Sequence, residues 1–235
     1  MGNSQEFYET EYHGKLSFSS DGPQRINPAF YQELKDFITK FRLEDKKFLE
    51  IGSGDGKLQD IVEDYTVLDI ARNLKSLYHK PFFLIEQNSG NYPFCNNAFD
   101  AIFTRATFEH IINIDSALNE MLRVLKSGGY ILFNVAWQVR PWASQGYQVR
   151  LYKDLTFKEK CIKFSILWRD SIIFRSFFII FHRIIRTIMY GTSSTFGENL
   201  DYKKIRANYE KFWVPDSDAC NHIDPHAMIL WFKRN

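Results

Sequence analysis

The chain has 235 residues, 45% of them apolar and 17% aromatic, and its 30 Lys+Arg against 28 Asp+Glu leave a net charge of +2. That length can bury the core of one larger domain carrying an insertion, while so even a charge balance excludes a global field of the kind that gathers nucleic acid. Cys95, Cys161 and Cys220 are odd in number and widely spaced, which argues against a disulfide framework or a cysteine zinc site and suits reduced thiols in a cytoplasmic protein.

The N-terminal stretch "MGNSQEFYETEYHGK" has neither a basic segment nor an apolar run, and Glu6 stands where a myristoylation signal needs Ser or Thr, so no export or lipid signal is read there. From residue 31 short apolar runs alternate with helical patterns: "YQELKDFITKF", "KFLEI", "KLQDIVEDY", "TVLDI", "FDAIFT", "SALNEMLRVLK" and "YILFNVAW". This order reads as a parallel sheet covered by helices. The spacing places a helix from about Lys57, and another over 116–126 that "SGG" at 127–129 ends with a left-handed glycine cap. After about residue 137 the composition turns to Phe, Ile, Lys and Arg, with neither Gly nor Pro over 157–190, as in a helical insertion. The closing "KFWVPDSDACNHIDPHAMILWFKRN" reads as a strand, a loop and a last strand.

The stretch "FLEIGSGDGKL", 48–58, carries most of the chemistry. An apolar strand ending in Glu50 and Ile51 runs into Gly52, Gly54 and Gly56, so that bare backbone can approach a ligand at the carboxyl edge of a sheet. A dinucleotide fingerprint would place its third glycine at position 57, where Lys57 stands. Glu50 and Asp55 put carboxylates beside the loop, which suits a cationic ligand better than a pyrophosphate.

The pattern E-x-G-x-G-x-G at 50–56 resembles the first motif of the class I S-adenosylmethionine-dependent methyltransferases. Asp69 in "VLDI", "NYPFCNNAFDAIFTRATFEHI" at 91–111 and "MLRVLKSGGYILF" at 121–133 are similar to further motifs of that family, in the same order, with Ser127 where the family has proline. The resemblance implies an α/β, Rossmann-like, doubly wound sheet of seven mostly parallel strands with an antiparallel last strand, and S-adenosylmethionine as cofactor. It further implies that Gly52, Ser53, Gly54 and Asp55 pass beneath the methionine and ribose portions, with Glu50 beside them. Asp69 and Ile70 would flank the ribose and adenine, and Asn88 and Ser89 would stand where the family recognises the adenine amino group. Arg105 falls near the methionine tail, where a guanidinium can pair with a carboxylate or an anionic substrate.

Methyl transfer needs an acceptor held in line and a group to take its proton. His110 in "FEHI" is one candidate base and Asp218 another, the latter within a polar stretch that also holds Asp216, His222, Asp224 and His226 as substrate-side candidates. A solvated hairpin explains that stretch equally well, and no metal site is read in the sequence. Tyr12 and His13 are candidates for a lid. The C-terminal wording resembles methyltransferases of bacterial surface-polysaccharide biosynthesis, implying O-methylation of a sugar or sugar-phosphate group. A lipid- or quinone-type acceptor and a non-catalytic binding protein are the alternatives.

Wound as one helix, 162–189 puts Ile162, Ile166, Ile173, Phe177, Phe181, Ile184 and Ile188 on one face and Arg175, His182, Arg183 and Arg186 on the other. Such a face can lie on a membrane surface or pack against this domain or a second subunit. In the packed case the arginines are solvated or bind an anionic substrate. The organisation expected is therefore an N-terminal lid and first helix over 1–45, a cofactor-binding core over 46–140, a basic aromatic helical insertion over 141–205, and C-terminal strands over 206–235. A small-molecule or glycan acceptor is expected as partner, with no nucleic acid, and a cytoplasmic location that leaves room for contact with the inner membrane face.

Overall fold

The computed structural model describes residues 4–12, 28–54, 56–85, 90–211, 213, 214 and 216–235. It divides into two compact units, Met1–Val135 and Ala136–Asn235.

In the first unit, a short helix Ser4–Phe7 continues as a π turn over Tyr8–Tyr12. Helix α1, Pro28–Phe41, follows and buries Phe30, Leu34 and Ile38, one residue per helical turn. Five strands then form one sheet: β1 Phe48–Ile51, β2 Tyr65–Asp69, β3 Phe82–Leu84, β4 Phe99–Arg105 and β5 Leu125–Asn134. Their order is β3-β2-β1-β4-β5 and every pairing is parallel. β1, β2 and most of β4 are wholly buried, as expected for strands covered on both faces. Tyr65, Phe48, Phe103, Leu34 and Val67 belong to one apolar core between sheet and α1. Helix α2, Ile114–Val124, is capped by Asn113, whose side chain accepts from the Ser116 N–H, and buries Ile114, Ala117, Leu118, Met121 and Val124.

Two expectations fail locally in this unit. Residues 57–64 form turns and bends instead of a helix. The segment is eight residues long before β2 begins, and Gln59 is held by tertiary bonds, its Nε2 donating to Leu77 O (3.2 Å) and its Oε1 accepting from His79 N (3.0 Å). Helix α2 ends at Val124, and "SGG" lies inside β5, where Gly128 takes φ +75° at an irregularity opposite β4. A Cβ on Gly129 would lie 2.8 Å from Asp100 O, so close strand approach, not helix capping, explains that glycine.

The second unit is mainly helical. Helix α3, Phe157–Arg169, opens with a capping box in which Thr156 and Glu159 bond reciprocally to each other's backbone. Helix α4, Ile172–Thr192, is separate from it: Ser171 caps its N-terminus and Asp170 is drawn to Arg140 at 2.9 Å, so the single helix expected over 162–189 breaks at 170–171. Two short strands, β6 Lys203–Lys204 and β7 Asn221–His222, pair antiparallel.

The last element is helix α5, Pro225–Arg234, where the sequence reading had a last strand. Asp224 accepts from the His226 N–H as N-cap, Pro225 occupies the first turn, and Ala227, Met228, Leu230 and Trp231 are buried at helical spacing. Among the described residues the main sheet therefore has five strands, all parallel, and the expected seventh, antiparallel strand is replaced by this helix.

Candidate cofactor and active site

All five strands run the same way, so the loops after β1, β2 and β4 meet at one edge of the sheet. From β1 the chain winds outward through β2 and β3, and from β4 it winds the other way to β5. The β1/β4 neighbours are therefore the switch point at which an open parallel sheet offers a crevice.

The loop after β1 is built around left-handed glycines. Gly52, Gly54 and Gly56 have φ of +73°, +57° and +72°. Two of them are close-approach positions as well. A Cβ on Gly52 would stand 2.2 Å from Thr107 Oγ1, and one on Gly56 would stand 2.7 Å from the Tyr78 ring. Gly54 differs: a Cβ there would meet nothing within 4 Å, so its outer face borders open space.

Three side chains missing from the sequence reading hold this loop. Thr107 Oγ1, after β4, lies 3.2 Å from Ile51 O, 3.3 Å from Gly52 O and 3.0 Å from Arg105 O. The Tyr78 hydroxyl donates to Gly54 O (3.0 Å) and stands 2.5 Å from Ser53 Oγ. Tyr65 donates to Glu50 Oε2 within β1 and β2, and burial, followed by the Glu50 charge, raises the phenol well above its usual range. Apart from the Thr107–Arg105 contact, each joins residues 15 to 56 positions apart, so nothing local in the sequence announces it.

Asp69 ends β2 with both carboxylate oxygens aimed at backbone: Oδ2 accepts from Gly54 N (3.3 Å) and Oδ1 from Ala71 N (2.9 Å). A carboxylate offers about four acceptor sites over its two oxygens, the kind of group that two vicinal hydroxyls require. Glu50 is buried in β1. Ile70 and Ser53 are partly exposed at the rim. Arg105 lies with its guanidinium carbon 4.9 Å from the Phe30 ring centroid, stacked against α1. Asp55, Asn88, Ser89 and His13 lie outside the described residues, and of Tyr12 only the backbone is described.

After β4, Phe108–His110 form a 3-10 turn in which Glu109 is wholly buried and His110 Nε2 sits 3.9 Å from Glu109 Oε1. The N-terminal segment crosses this same edge. The Tyr8 ring stands edge-on to His110 with centroids 6.2 Å apart, while Glu9 accepts from Arg72 N through Oε1 (3.2 Å) and from Asn73 Nδ2 through its carbonyl (2.7 Å). Tyr8 and Glu9 thus connect the turn after β4 with the turn after β2. The expected lid residues were Tyr12 and His13; the contacts described fall on Tyr8 and Glu9.

The motif regions around 91–99 and 121–133 are one construction. Arg123 donates to Phe94 O (2.8 Å), Tyr92 O (3.1 Å) and Asn96 Oδ1 (2.8 Å), and forms a bidentate pair with Glu120 through Nε and Nη2, both at 2.7 Å. Glu120 also accepts from Tyr92 N (2.7 Å), and Arg123 holds its carboxyl below the usual range.

A profile of the family described as "Methyltransferase domain" matches residues 49–133, the span from β1 to β5. Residues 49–133 are a class I S-adenosylmethionine-dependent methyltransferase domain. Its glycine loop and Asp69 fit that cofactor: the Gly54 face is open, and backbone N–H groups fix the carboxylate beside it. Over 132 residues the chain is 33% identical to an uncharacterized protein of Methanocaldococcus jannaschii, covering 54% of this chain and 51% of that protein. Over 113 residues it is 28% identical to a ubiquinone/menaquinone biosynthesis C-methyltransferase of Hahella chejuensis, covering 47% and 45%. Among solved structures, the YcgJ protein of Bacillus subtilis is similar at 20% identity and a TM-score of 0.38, over 45% of this chain and 51% of that one. The chain spans about half the length of the curated relatives it matches.

In the second unit, the expected polar stretch 215–226 is dispersed into structural work. Asp224, besides capping α5, binds Arg183 Nη2 (2.7 Å) and Arg186 Nη1 (3.0 Å). Burial pushes its carboxyl up, but hydrogen bonds from Arg183, His226 N and Arg186 outweigh this and hold it below the usual range. His222 Nδ1 lies 2.7 Å from Val139 O, and His226 Nε2 lies 3.2 Å from Thr187 Oγ1. Burial and then the Arg186 charge push His226 below its usual value. Asp216, with φ +64°, and the buried Asp218 lie in the turn before β7. The expectation that Asp224, His222 and His226 share one open substrate-side loop with these two is therefore corrected: they are a cap, a strand residue and a helix residue.

Proposed function

We propose that this chain transfers a methyl group from S-adenosylmethionine to a small-molecule acceptor, by O-methylation of a sugar or sugar-phosphate group. The observation that carries the donor half is the pairing of the open Gly54 face with the Asp69 carboxylate at the sheet's switch point. In the proposed arrangement Gly52, Ser53, Gly54 and Asp55 underlie the methionine and ribose, with Glu50 behind them. Asp69 and Ile70 flank the ribose, and Asn88 and Ser89 address the adenine. When bound, the sulfonium supplies an already activated methyl group, so the protein's tasks are orientation, exclusion of water and proton removal.

His110 is the proposed base. It stands on the turn after β4, at the same edge as the glycine loop, with the buried Glu109 carboxylate 3.9 Å away to favour the imidazolium once a proton is taken. Tyr8 covers the ring from the N-terminal side, so the segment 4–12 is the proposed cover over the crevice. Arg105 is held against Phe30 and is proposed to set charge at the rim. Asp216 and Asp218 remain proposed substrate-side residues.

A second reading, a lipid- or quinone-type acceptor, is favoured by the similarity to the Hahella chejuensis C-methyltransferase and by the apolar surface of the second unit. Incubation with donor carrying a tritiated methyl group tests both. Label passing to nucleotide sugars or phosphosugars supports the first reading, label passing only to quinone-ring or lipid acceptors supports the second, and no transfer to any acceptor by a chain that binds the donor refutes catalysis.

A further inference from the structure

Helix α4 is turned inside out relative to an ordinary surface helix. Its polar face is the one packed within the second unit: Arg175 donates to Gln138 Oε1 (2.6 Å), Arg183 and Arg186 grip Asp224, and Arg186 Nε reaches Asp201 (2.8 Å). The opposite half is apolar and open. At 100° per residue, Ile173, Phe177, Phe181, Ile184 and Ile188 sit at its centre, flanked by Phe174, Phe178, Ile180, Ile185 and Met189, and all ten are exposed, Ile173 by 86%. Helix α3 carries a second exposed apolar strip, Phe157, Phe164, Leu167 and Trp168, with Lys160 within it and Lys158 beside it. An exposed apolar face as long as that of α4 marks a binding surface.

Charge says which partner. The second unit holds 16 Lys+Arg against nine Asp+Glu, a net +7, whereas the first holds 14 against 19, a net −5. Between Ser171 and Gly197 there is no acidic residue, and Glu159, the one acid of α3, is tied to Thr156 and Arg150. Lys158, Lys160, Lys203, Lys204 and Lys233 are exposed without an acidic partner among the described residues. A second copy packed two-fold on this face would bring lysine toward lysine and +7 toward +7. An anionic bilayer complements both the apolar face and the net positive charge of the unit that carries it.

We infer that α3 and α4 form a membrane-docking face that lies in the headgroup region of an anionic lipid bilayer. The helix lies on the surface and does not cross it. No helix among the described residues is long and apolar enough to span a bilayer, and Arg175, Arg183 and Arg186 are committed to the protein side. The inference is independent of which acceptor is methylated, since its readout is binding.

The test is co-sedimentation of the full chain with phosphatidylcholine vesicles, with and without phosphatidylglycerol, alongside light scattering of the free protein. The expected result is binding to phosphatidylglycerol vesicles that falls as salt rises. Lys158→Glu with Lys160→Glu should weaken it by roughly thirtyfold or more. The triple variant Ile173→Gln, Phe177→Gln, Phe181→Gln should abolish it, with circular dichroism and melting unchanged because all three side chains already face outward. Absence of vesicle binding, unchanged binding by the triple variant, or a stable dimer that the triple variant dissociates would each overturn the inference.

Discussion

Gly52→Ala and Gly54→Ala are chemically the same substitution in the same loop, and the structure separates them. Both positions have positive φ, so each alanine incurs the left-handed strain of about 1–2 kcal/mol. At Gly54 nothing else is added, because the new methyl meets open space. At Gly52 it collides with Thr107 at 2.2 Å from Oγ1, 2.3 Å from Cγ2 and 2.8 Å from Cβ, and overpacking of that kind adds about 1–3 kcal/mol. Gly52→Ala should therefore cost about 3 kcal/mol, about 6–12 °C in melting temperature, and Gly54→Ala about half of that. In a double-mutant cycle, Thr107→Ala removes two of the three clashing atoms, so the coupling to Gly52→Ala should be about 1 kcal/mol or more. The binding order is the reverse of the stability order where it matters: the Gly54 methyl enters the proposed cofactor space, so Gly54→Ala should lose S-adenosylhomocysteine affinity out of proportion to its stability loss. Calorimetric melting and titration calorimetry on the native chain, the three single variants and the Gly52→Ala/Thr107→Ala double variant decide it. Equal costs at the two glycines, or no coupling to Thr107, would refute the steric argument.

Further outcomes follow from the clamps and caps. Arg123→Ala strips its hydrogen bonds from the 92–96 loop and leaves Glu120 without its cation; a loss of about 2–3 kcal/mol is expected, with faster amide exchange over 90–97. Asp224→Asn keeps the cap but removes the charge facing Arg183 and Arg186, costing about 2 kcal/mol, less than a fully buried pair because Arg183 is a third exposed. Because the Asp224 and Glu120 carboxyls are held below their usual values, the stability they contribute is complete above the unfolded-state value near pH 4. It disappears as pH falls through the lower folded-state value, so urea midpoints measured from pH 6 downward should drop in the native chain and drop less in Asp224→Asn. His110→Ala should leave donor binding intact while reducing turnover by about 100-fold or more, and unchanged turnover would remove His110 from the reaction.

What could be read from the sequence followed from how local each signal is. The strand, glycine and acid pattern of 48–69 is written in consecutive residues, and the alternation of apolar runs with helical patterns announces a parallel sheet. Thr107 and Tyr78 were invisible because a threonine 55 residues beyond Gly52 reveals its role only once β1 and β4 are side by side. The C-terminal "HAMILWF" is a short apolar run that suits strand or helix alike; the deciding signal was Asp224 followed by Pro225, a cap and a first-turn proline. In α4 the amphipathic pattern was plain, but a pattern does not state which face turns inward. The acids that draw its arginines toward the protein, Asp201 and Asp224, lie 15 and 38 residues from Arg186.

The central claim is that the Gly52–Gly56 loop and Asp69 form a seat for S-adenosylmethionine, and titration calorimetry with S-adenosylhomocysteine, repeated with NAD and on Asp69→Ala, tests it most directly. The account predicts saturable binding of the homocysteine product, none of NAD, and at least a tenfold loss in Asp69→Ala with melting of the unliganded protein little changed. Binding of NAD in its place, or full affinity in Asp69→Ala, would contradict it.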